Sequence, residues 1–559
     1  MQVFPLFNPR RVLFDEVSPA DTVPYLSLAG GRGEMVTGVV AIRLESAARG
    51  ALGILADISG MSAFDSVRIS FAAPVPVRYP TPDAVGADGT VDPTQRELDY
   101  PCCLPDPLLP LAFAEHLSAN ATYSLWVNAR ISRDCRAGDY SGSLNIQVGK
   151  SRHTITIALR VWDFDLPQEP TLSSVNWLYA NQLARHHGLR HLSEAWWSAV
   201  EDVARNMGEH LHDGVYTPAL TPPASPGQLE QTQLVRISAD ADGRFRFDFR
   251  QLDRWVDLFR RHGVTKLHLS HMASPWGALQ SNGIWIDGEY YPPEPVDSHR
   301  YQDLVRQWLP ALQSWVDNRK LGGRIYQYVS DEPTMSSFDH YSRLLEWMRT
   351  LAPRLIWADT ISDLPFARLL DVPIPRIDVL VRAKMEVGNG PLWTFYSYQP
   401  VGAFTNRFID TPLPVLRMGY WQCFTHHITG LLHWGYNYWH DPYSGARSDP
   451  FSQTHTGNFP AGDGFIVYPR TEGQYLPDDP LIHDSVRHEM MRIGLQDHAL
   501  LTLLASQAGT SPAVDLLLER LSGQLAGSLR LYERDGAELE RFRRQVGDTL
   551  GGVASGAAG

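Results

Sequence analysis

Two adjacent carboxylates, Asp331 and Glu332, follow directly on an apolar and aromatic segment of this 559-residue chain. The segment, Tyr326–Ser330, has the composition of a buried strand. In α/β proteins, catalytic groups collect at the carboxyl ends of strands. Two acids at such a position, in a chain with 16 Trp and 22 Tyr, indicate acid-catalysed chemistry on a sugar.

The same two acids could instead begin a helix. Acidic side chains favour helix N-termini, and a proline such as Pro333 suits the first turn. Residues 338–351 carry apolar side chains at spacings of three and four, which predicts a helix that Ser336 or Ser337 would cap. The pair alone therefore does not decide between a catalytic site and a helix start.

The composition limits the class of protein. With 43% hydrophobic and 20% charged residues the chain is globular, and its length predicts two or three domains. The net charge is −13 and no run of basic residues is longer than two. These features argue against a nucleic-acid partner.

The cysteines and the hydropathy of the chain bear on its location. None of the four cysteines (Cys102, Cys103, Cys135 and Cys423) has zinc-ligand spacing, and free thiols in a reducing compartment are expected. The first residues do not form a signal peptide, and no apolar run is long enough to span a bilayer. We therefore expect a cytoplasmic protein without a membrane segment.

Three regions follow one another along the chain. Residues 1–165 alternate in the manner of strands, at 36–44, 123–131 and 153–161, and predict a β-sandwich. Two prolines within residues 165–170 indicate a linker. Residues 506–559 predict a C-terminal helical segment whose last residues, 551–559, form a disordered tail.

The central region, residues 166–505, alternates strands and helices. The clearest helices are predicted at 194–207, 252–262 and 301–315. Candidate strands are residues 174–179, 214–218, 266–272, 325–330, 355–359, 377–381, 393–398 and 430–436. Eight strands alternating with helices predict a (β/α)8 barrel. An open doubly wound sheet is the alternative, but no Gly-rich phosphate loop follows any strand.

Several further motifs occur in a fixed order. After the Asp331–Glu332 segment come Gly430–Pro442, Gly462–Pro469 and Ser485–His498, and upstream lie Leu104–Pro110, Arg205–His210 and Leu392–Ser397. This ordered set, over roughly residues 100–505, resembles glycoside hydrolase family 123 and its bacterial relatives known as domain of unknown function 4091. The resemblance implies a β-sandwich, a catalytic barrel and a retaining β-N-acetylgalactosaminidase with a carbohydrate substrate. We expect the enzyme to be exo-acting, but the sequence does not decide between exo and endo action.

The resemblance also assigns the acid pair. The family's Asp-Glu pair at the end of a barrel strand corresponds to Asp331 and Glu332. Adjacent residues are poorly placed to flank a glycosidic bond, but they suit a mechanism in which the substrate's 2-acetamido oxygen is the nucleophile. Glu332 would then be the general acid and base and must begin protonated. Asp331 would orient the acetamido group and must stay ionised.

Other residues are candidates for the sugar site. Trp434, Tyr436 and Trp439 could form a wall against the ring, although barrel-core packing explains them equally well. Tyr396 could donate to the acetamido oxygen, and Tyr398 fits nearly as well. His271 could bind a hydroxyl or be structural. Asp359 could support the pair or cap a helix.

Some polar residues are predicted to be structural. Arg487 and Glu489 are expected to form an ion pair, and turn geometry accounts for Asp463 between two glycines. None of the 20 His has the helical spacing of a zinc hydrolase, so we predict neither a metal nor a cofactor. Two alternatives stay open: a glycosidase for a sugar without an acetamido group, and an inactive carbohydrate-binding protein. The sequence does not indicate an oligomeric state.

Overall fold

The structure, a computed structural model, describes residues 1–18, 24–47, 54–81, 98–114, 117–223, 232–442, 444–470 and 480–552. The N-terminal region forms nine strands: β1 Gln2–Pro5, β2 Tyr25–Arg32, β3 Met35–Leu44, β4 Ile54–Ser59, β5 Phe64–Val77, β6 Cys102–Pro110, β7 Ala121–Ile131, β8 Gly138–Val148 and β9 Ser151–Asp165. Burial alternates along β9, where residues 155, 157, 159 and 161 are buried. This period of two predicts a strand with one face on a core.

The nine strands form two facing sheets. One has the order β1-β3-β7-β5-β6 and the other β2-β9-β8-β4. Apolar side chains from both sheets, among them Val40, Leu125 and Ile157, fill a common core. The predicted β-sandwich is confirmed.

Fourteen further strands follow. They are β10 Ser173–Asn176, β11 Gly214–Thr217, β12 Arg236–Ala239, β13 Phe245–Asp248, β14 Lys266–Leu269, β15 Ile284–Ile286, β16 Glu289–Tyr291, β17 Ile325–Gln327, β18 Ile356–Ile361, β19 Val372–Pro375, β20 Trp393–Phe395, β21 Gly430–His433, β22 Tyr468–Pro469 and β23 Ile482–Ser485. β12, β13, β15 and β16 form a small separate sheet, and β22 and β23 extend the sandwich sheet at β6.

Eight of these strands form the barrel. Their order is β19-β18-β17-β14-β11-β10-β21-β20, and all neighbouring pairs in it are parallel. A parallel bridge between Arg376 and Phe395 joins the ends of this series and closes the cylinder. Because strand order follows chain order around the barrel, the (β/α)8 prediction is confirmed and the doubly wound sheet is wrong.

The sixth barrel strand lies earlier than predicted. Residues 377–381 were expected to form it, but they belong to a 3₁₀ turn, Ile377–Val379, and the helix that follows. The strand is β19, which contains Pro373 and Pro375. Arg376 donates its N–H to Ile361 of β18, so the two proline nitrogens face the other way and leave this ladder intact. The prolines concealed the strand in the sequence.

The described residues also form ten α-helices: α1 Ala180–His186, α2 Glu194–Glu209, α3 Arg250–Arg261, α4 His299–Asn318, α5 Phe338–Leu351, α6 Leu380–Val387, α7 Leu413–Thr425, α8 Val486–Ser506, α9 Pro512–Arg520 and α10 Gly536–Leu550. α2, α3 and α4 confirm the three clearest helix predictions. α7 to α10 share an apolar core that includes Met418, Leu504 and Phe542. Residues 553–559 of the predicted tail lie outside the described residues. No helix in the described ranges is long and apolar enough to cross a membrane.

Buried ion pairs join the sandwich to the barrel region. Arg487 of α8 donates to Asp106 of β6 at 2.9 Å, and both side chains are fully buried. Glu489 instead accepts from Arg68 and Asn128 of the sandwich, each at 2.7 Å, and from Arg492 at 2.9 Å. The expected pair between Arg487 and Glu489 is therefore wrong, because the two residues point to different partners.

Replacing Glu489 by Gln is expected to lower the free energy of unfolding by about 3 kcal/mol, because it leaves the buried Arg492 guanidinium without its counter-charge. Burial alone would raise the pKa of Glu489, but Arg492, His210 and Arg68 hold it well below its ordinary value. Its stabilisation is therefore complete above the unfolded pKa, about 4.3, and lost as pH falls through the folded value.

Chemical denaturation at pH 7 and at pH 4 measures this effect. The exposed Glu519 provides the matched control, and Glu519→Gln is expected to change stability by less than about 0.5 kcal/mol. Equal stability of the Glu489→Gln variant and the unsubstituted protein at pH 7 would contradict the prediction.

Candidate active site

The acid pair lies just beyond β17, at the carboxyl end of the fourth barrel strand. The chain there is fixed by Asp359 of the neighbouring strand β18. The Asp359 carboxylate accepts the backbone N–H groups of Val329 and Ser330 at 3.1 and 3.2 Å and the Tyr341 hydroxyl at 2.5 Å. Asp359 is completely buried, and burial raises its pKa. It supports the backbone before the pair and caps no helix.

The end of β18 also holds the two acids themselves. The Thr360 hydroxyl donates to Asp331 Oδ1 at 2.5 Å and accepts the backbone N–H of Glu332 at 3.3 Å. The Ser362 hydroxyl donates to Glu332 Oε1 at 2.6 Å. The second oxygen of each carboxylate makes no hydrogen bond to any described residue, and both side chains are half-buried. Each acid is thus held by one oxygen.

The alternative in which the pair starts a helix is wrong. α5 begins at Phe338, and no hydrogen bond from a backbone N–H of α5 or of the preceding 3₁₀ turn to the carboxylate of Asp331 or Glu332 is present among the described residues. Glu332 instead has a left-handed backbone, with φ of 44°, which is uncommon for a residue with a side chain. Such strain is concentrated at functional sites.

The electrostatics of the pair differ from the expectation. Burial and the neighbouring Glu332 raise the pKa of Asp331 to about 7, while the Thr360 hydrogen bond opposes the rise. Asp331 was expected to be ionised throughout the neutral range. It instead changes charge within that range, because its side chain lies in a partly desolvated position beside a second acid.

Other charged and phenolic groups share this end of the barrel. The pKa of Arg376, which ends β19, is raised first by hydrogen bonds to Asp378, and Glu332 and Tyr398 add smaller contributions. Burial raises the pKa of Tyr179, and the charges of Asp331 and Asp463 raise it further. Tyr179, which follows β10, therefore lies within electrostatic range of Asp331 and Asp463.

Three of the sequence candidates line the same end of the barrel. Trp434 follows β21, is partly buried and donates its indole N–H to Asp463 at 3.1 Å. Tyr396 follows β20, and its ring lies 5.3 Å from that of His433. Tyr398 is 46% exposed and stacks on Phe459 at 5.2 Å.

His271 lies deeper than these aromatic rings. Its Nδ1 is 3.0 Å from the Tyr216 hydroxyl, and its ring stacks on Tyr328 at 4.9 Å. Burial lowers the pKa of His271 to about 3, so its imidazole is neutral. Both His271 and Tyr216 are buried, and the pKa of Tyr216 is raised mainly by burial and also by Asp331.

Tyr436 and Trp439 are core residues. Tyr436 donates to Asn206 of α2 at 2.7 Å, and the Trp439 indole donates to the Val467 carbonyl at 3.1 Å. Both side chains are buried. Their polar atoms are occupied by the protein, so we do not place them in the sugar site.

Asp463 belongs to a buried polar cluster that the sequence analysis missed. His433 Nδ1 accepts from the Gly435 N–H at 3.0 Å and from Arg407 at 2.5 Å, so its proton is on Nε2, 3.4 Å from Asp463 Oδ1. Burial raises the pKa of Asp463 to about 7, and Arg407 opposes the rise. Asp463 therefore does more than form a turn, because its carboxylate also orients the Trp434 indole.

One group of ligand-type side chains lies elsewhere in the described chain. His210, Asp484 and His488 offer atoms within 4.8 Å of one another. The two imidazole rings, however, stack at 3.7 Å with an angle of 8° between their planes. A metal lies near the plane of each imidazole that binds it, and two parallel rings share no such point. Arg68 also approaches Asp484 at 3.1 Å, so the group is a charge network.

A family model described as the glycoside hydrolase 123 catalytic domain matches residues 177–504. The chain belongs to glycoside hydrolase family 123. The resemblance seen in the motifs is thereby confirmed, and the protein is a glycoside hydrolase that acts on a carbohydrate. A comparison with curated protein sequences finds no match.

A solved structure of a family member has the same fold. A family 123 glycoside hydrolase from Clostridium perfringens, described in terms of glycolipid glycan hydrolysis, is 13% identical and has a TM-score of 0.73. The alignment covers 99% of this chain and 98% of that one. A GH10 xylanase from termite gut covers 68% of this chain and 91% of its own, with 11% identity and a TM-score of 0.29. That likeness is too weak to support a conclusion.

The hydroxyl of Thr360 is expected to set the acid limb of the pH profile of this glycosidase. Its hydrogen bond favours ionised Asp331, so Thr360→Val raises the pKa of Asp331 further. If ionised Asp331 is required, the acid limb of kcat/KM moves to higher pH. A charge-assisted hydrogen bond contributes about 1.5 kcal/mol, which corresponds to about tenfold lower activity below pH 7.

Profiles of kcat/KM from pH 5 to 9 measure this shift. Thr360→Ser retains the hydroxyl and is the matched control, which is expected to keep the position of the limb. An acid limb that stays at the same pH in both variants would contradict the role of Thr360.

Proposed function

We propose that this family 123 enzyme is an exo-acting β-N-acetylgalactosaminidase that retains configuration through substrate-assisted catalysis. The observation that carries the proposal is the pair Asp331 and Glu332 on one strand end, each held through one oxygen by Thr360 or Ser362. Retaining enzymes with two catalytic carboxylates place them about 5 Å apart on opposite sides of the scissile bond. Two sequence neighbours on one loop suit a mechanism in which the substrate supplies the nucleophile.

In the first step the acetamido carbonyl oxygen attacks the anomeric carbon and the glycosidic C–O bond breaks. Glu332 gives its proton to the leaving oxygen, and an oxazolinium ion forms. In the second step Glu332, now a carboxylate, takes a proton from water as the water oxygen attacks the anomeric carbon. The bond to the acetamido oxygen breaks, and the sugar leaves with its original configuration.

Asp331 would accept the acetamido N–H and stabilise the positive charge that develops on the ring of the oxazolinium ion. Its pKa of about 7 means that both charge states are populated near neutral pH before substrate binds. A hydrogen bond from the acetamido N–H favours the ionised form. Substrate binding would therefore draw Asp331 into the charge state that the reaction needs.

Trp434 and Tyr396 are the proposed wall of the sugar pocket, with Tyr398 at its rim. Trp434 is held by Asp463 through its indole N–H, and its partly buried ring packs edge-on against Tyr438 and Phe459, so it would contact the substrate with its remaining surface. Tyr179 is a further proposed contact, because its ring lies edge-on to that of Trp434, with 6.4 Å between the ring centres. Aromatic faces combined with a few fixed polar groups are typical of ligand pockets.

A panel of aryl β-glycosides that differ at C2 and C4 tests the specificity. The N-acetylgalactosaminide is expected to be the best substrate, the N-acetylglucosaminide weaker, and the galactoside, which has no acetamido group, far weaker than both. Faster hydrolysis of the galactoside would favour a mechanism without the acetamido group. Calorimetric binding of N-acetylgalactosamine without turnover of any glycoside would identify a binding protein.

A further inference from the structure

An exposed tryptophan lies directly beside the acid pair. Trp276 is 67% exposed, although indole is among the side chains that gain most from burial. Its backbone N–H donates to the Asp331 carbonyl at 2.8 Å. Its own carbonyl accepts the Thr334 hydroxyl at 3.1 Å. Trp276 is thereby joined to both sides of the segment that carries Asp331 and Glu332.

The loop that carries Trp276 is fixed along its length. The backbone N–H groups of Met272 and Ala273 donate to the carbonyls of Tyr328 and Val329 at 3.1 and 2.8 Å. The Ser330 hydroxyl donates to the Ser274 carbonyl at 2.7 Å. The loop after β14 therefore follows the extension of β17 residue by residue, and the backbone of Trp276 is fixed relative to the backbone that carries the acids.

The stability of the fold does not account for two features of Trp276 and its surroundings. Its backbone is left-handed, with φ of 63°, a conformation that costs free energy in a residue with a side chain. Leu279, in the same loop, and Met335, the residue after Thr334, are also exposed, at 57% and 47%. Several exposed apolar side chains beside a candidate active site are typical of a binding surface. We name Trp276, Leu279 and Met335 the apolar rim.

We propose that Trp276 is the platform for the sugar on the leaving-group side of the scissile bond. The inference rests on the proposed function, since it assumes that Glu332 protonates that sugar's oxygen. Tyr396 is buried and Trp434 partly buried, and both are proposed to contact the terminal sugar, whereas Trp276 is exposed and its backbone N–H is bonded to the Asp331 carbonyl.

The polar groups around the indole favour a sugar over a purely apolar leaving group. The hydroxyls of Thr334 and Ser336 lie 2.9 Å apart beside the Trp276 carbonyl. A sugar ring has an apolar face that packs on indole and an edge of hydroxyls that bonds to such groups. A hydrocarbon would leave these hydroxyls without a partner from the ligand.

Hydrolysis of two substrates tests the platform. One is a disaccharide with β-linked N-acetylgalactosamine on galactose. The other is N-acetylgalactosaminyl fluoride, whose leaving fluoride is too small to contact Trp276. Trp276→Ala is expected to lower kcat/KM for the disaccharide about tenfold more than for the fluoride. Trp276→Phe, which keeps a ring, is expected to recover most of this difference. Equal losses on both substrates would overturn the proposal, since they indicate that Trp276 only supports the loop.

Binding separates this inference from the proposed function. In a Glu332→Gln background, Trp276→Ala is expected to weaken calorimetric binding of the disaccharide about tenfold more than that of free N-acetylgalactosamine. Tyr25→Ala, an exposed aromatic residue on the sandwich, is the control. If the protein with Glu332 intact hydrolyses no glycoside while binding of the disaccharide still depends on Trp276, the proposed function alone is refuted. The sugar platform would be refuted if Met335→Ala weakened binding of an alkyl glycoside while Trp276→Ala left binding of the disaccharide unchanged.

Discussion

Replacing Glu332 by Gln is expected to lower kcat about a thousandfold for an N-acetylgalactosaminide with a poor leaving group. The amide cannot give a proton to the departing oxygen and cannot take one from water. The Ser362 hydroxyl can still donate to the amide oxygen, so the loop should keep its conformation. The loss should shrink for a dinitrophenyl leaving group, which departs with little need for a proton. Steady-state and burst kinetics on both substrates measure the two steps.

Glu346→Gln is the matched control for this variant. Glu346 is exposed on α5, the helix that follows the pair, and the same loss of charge there is expected to leave turnover unchanged. Circular dichroism and thermal unfolding should show that both variants fold. Activity of Glu332→Gln within threefold of the unsubstituted enzyme on the poor leaving group would remove Glu332 from the role of general acid.

The barrel could be predicted from the sequence because its strands are short, buried and separated by amphipathic helices. Strand β17 and helix α4 illustrate this, since each has a single pattern of apolar residues. β19 could not be predicted, because Pro373 and Pro375 lower strand propensity and only the partner strand shows that their nitrogens face away from the ladder. Strand pairing is information that a local pattern does not contain.

The site was predictable to a similar extent. Asp331 and Glu332 are recognisable because two acids end an apolar run. Thr360, Ser362 and Arg376, in contrast, approach the pair only because β18 and β19 are near neighbours of β17 in the barrel. Their sequence separations of about 30 to 45 residues give no local signal.

Trp276 and Asp463 were missed for another reason. Each lies in a loop whose composition explains it without function: glycines flank Asp463, and Trp276 follows Pro275 and precedes Gly277. Only their contacts connect these two residues to the site. Asp463 accepts the Trp434 indole N–H, and the Trp276 backbone N–H donates to the Asp331 carbonyl. An aromatic residue with a polar group at the carboxyl end of a predicted barrel strand is the signal that could have identified Tyr179.

Asp331→Asn is expected to lower kcat/KM about a hundredfold for an N-acetylgalactosaminide, because the amide cannot stabilise the positive charge that develops on the acetamido group. The loss on the corresponding galactoside should be much smaller, since that substrate has no acetamido N–H. The acid limb near pH 7 that ionisation of Asp331 gives the unsubstituted enzyme should disappear from the variant. Equal losses on both substrates would show that Asp331 is not the acetamido partner.

The same variant should unfold at the same temperature as the unsubstituted enzyme or a higher one. The folded-state pKa of Asp331 is above its unfolded value of about 3.9, so the folded protein binds the additional proton between pH 4 and 7. The unsubstituted protein therefore loses stability as pH rises through this range, and the neutral amide removes that loss. Thermal unfolding at pH 5 and pH 8 measures it. A variant that is less stable at pH 8 would mean that the Asp331 charge holds the fold together, and its loss of activity could not then be assigned to chemistry.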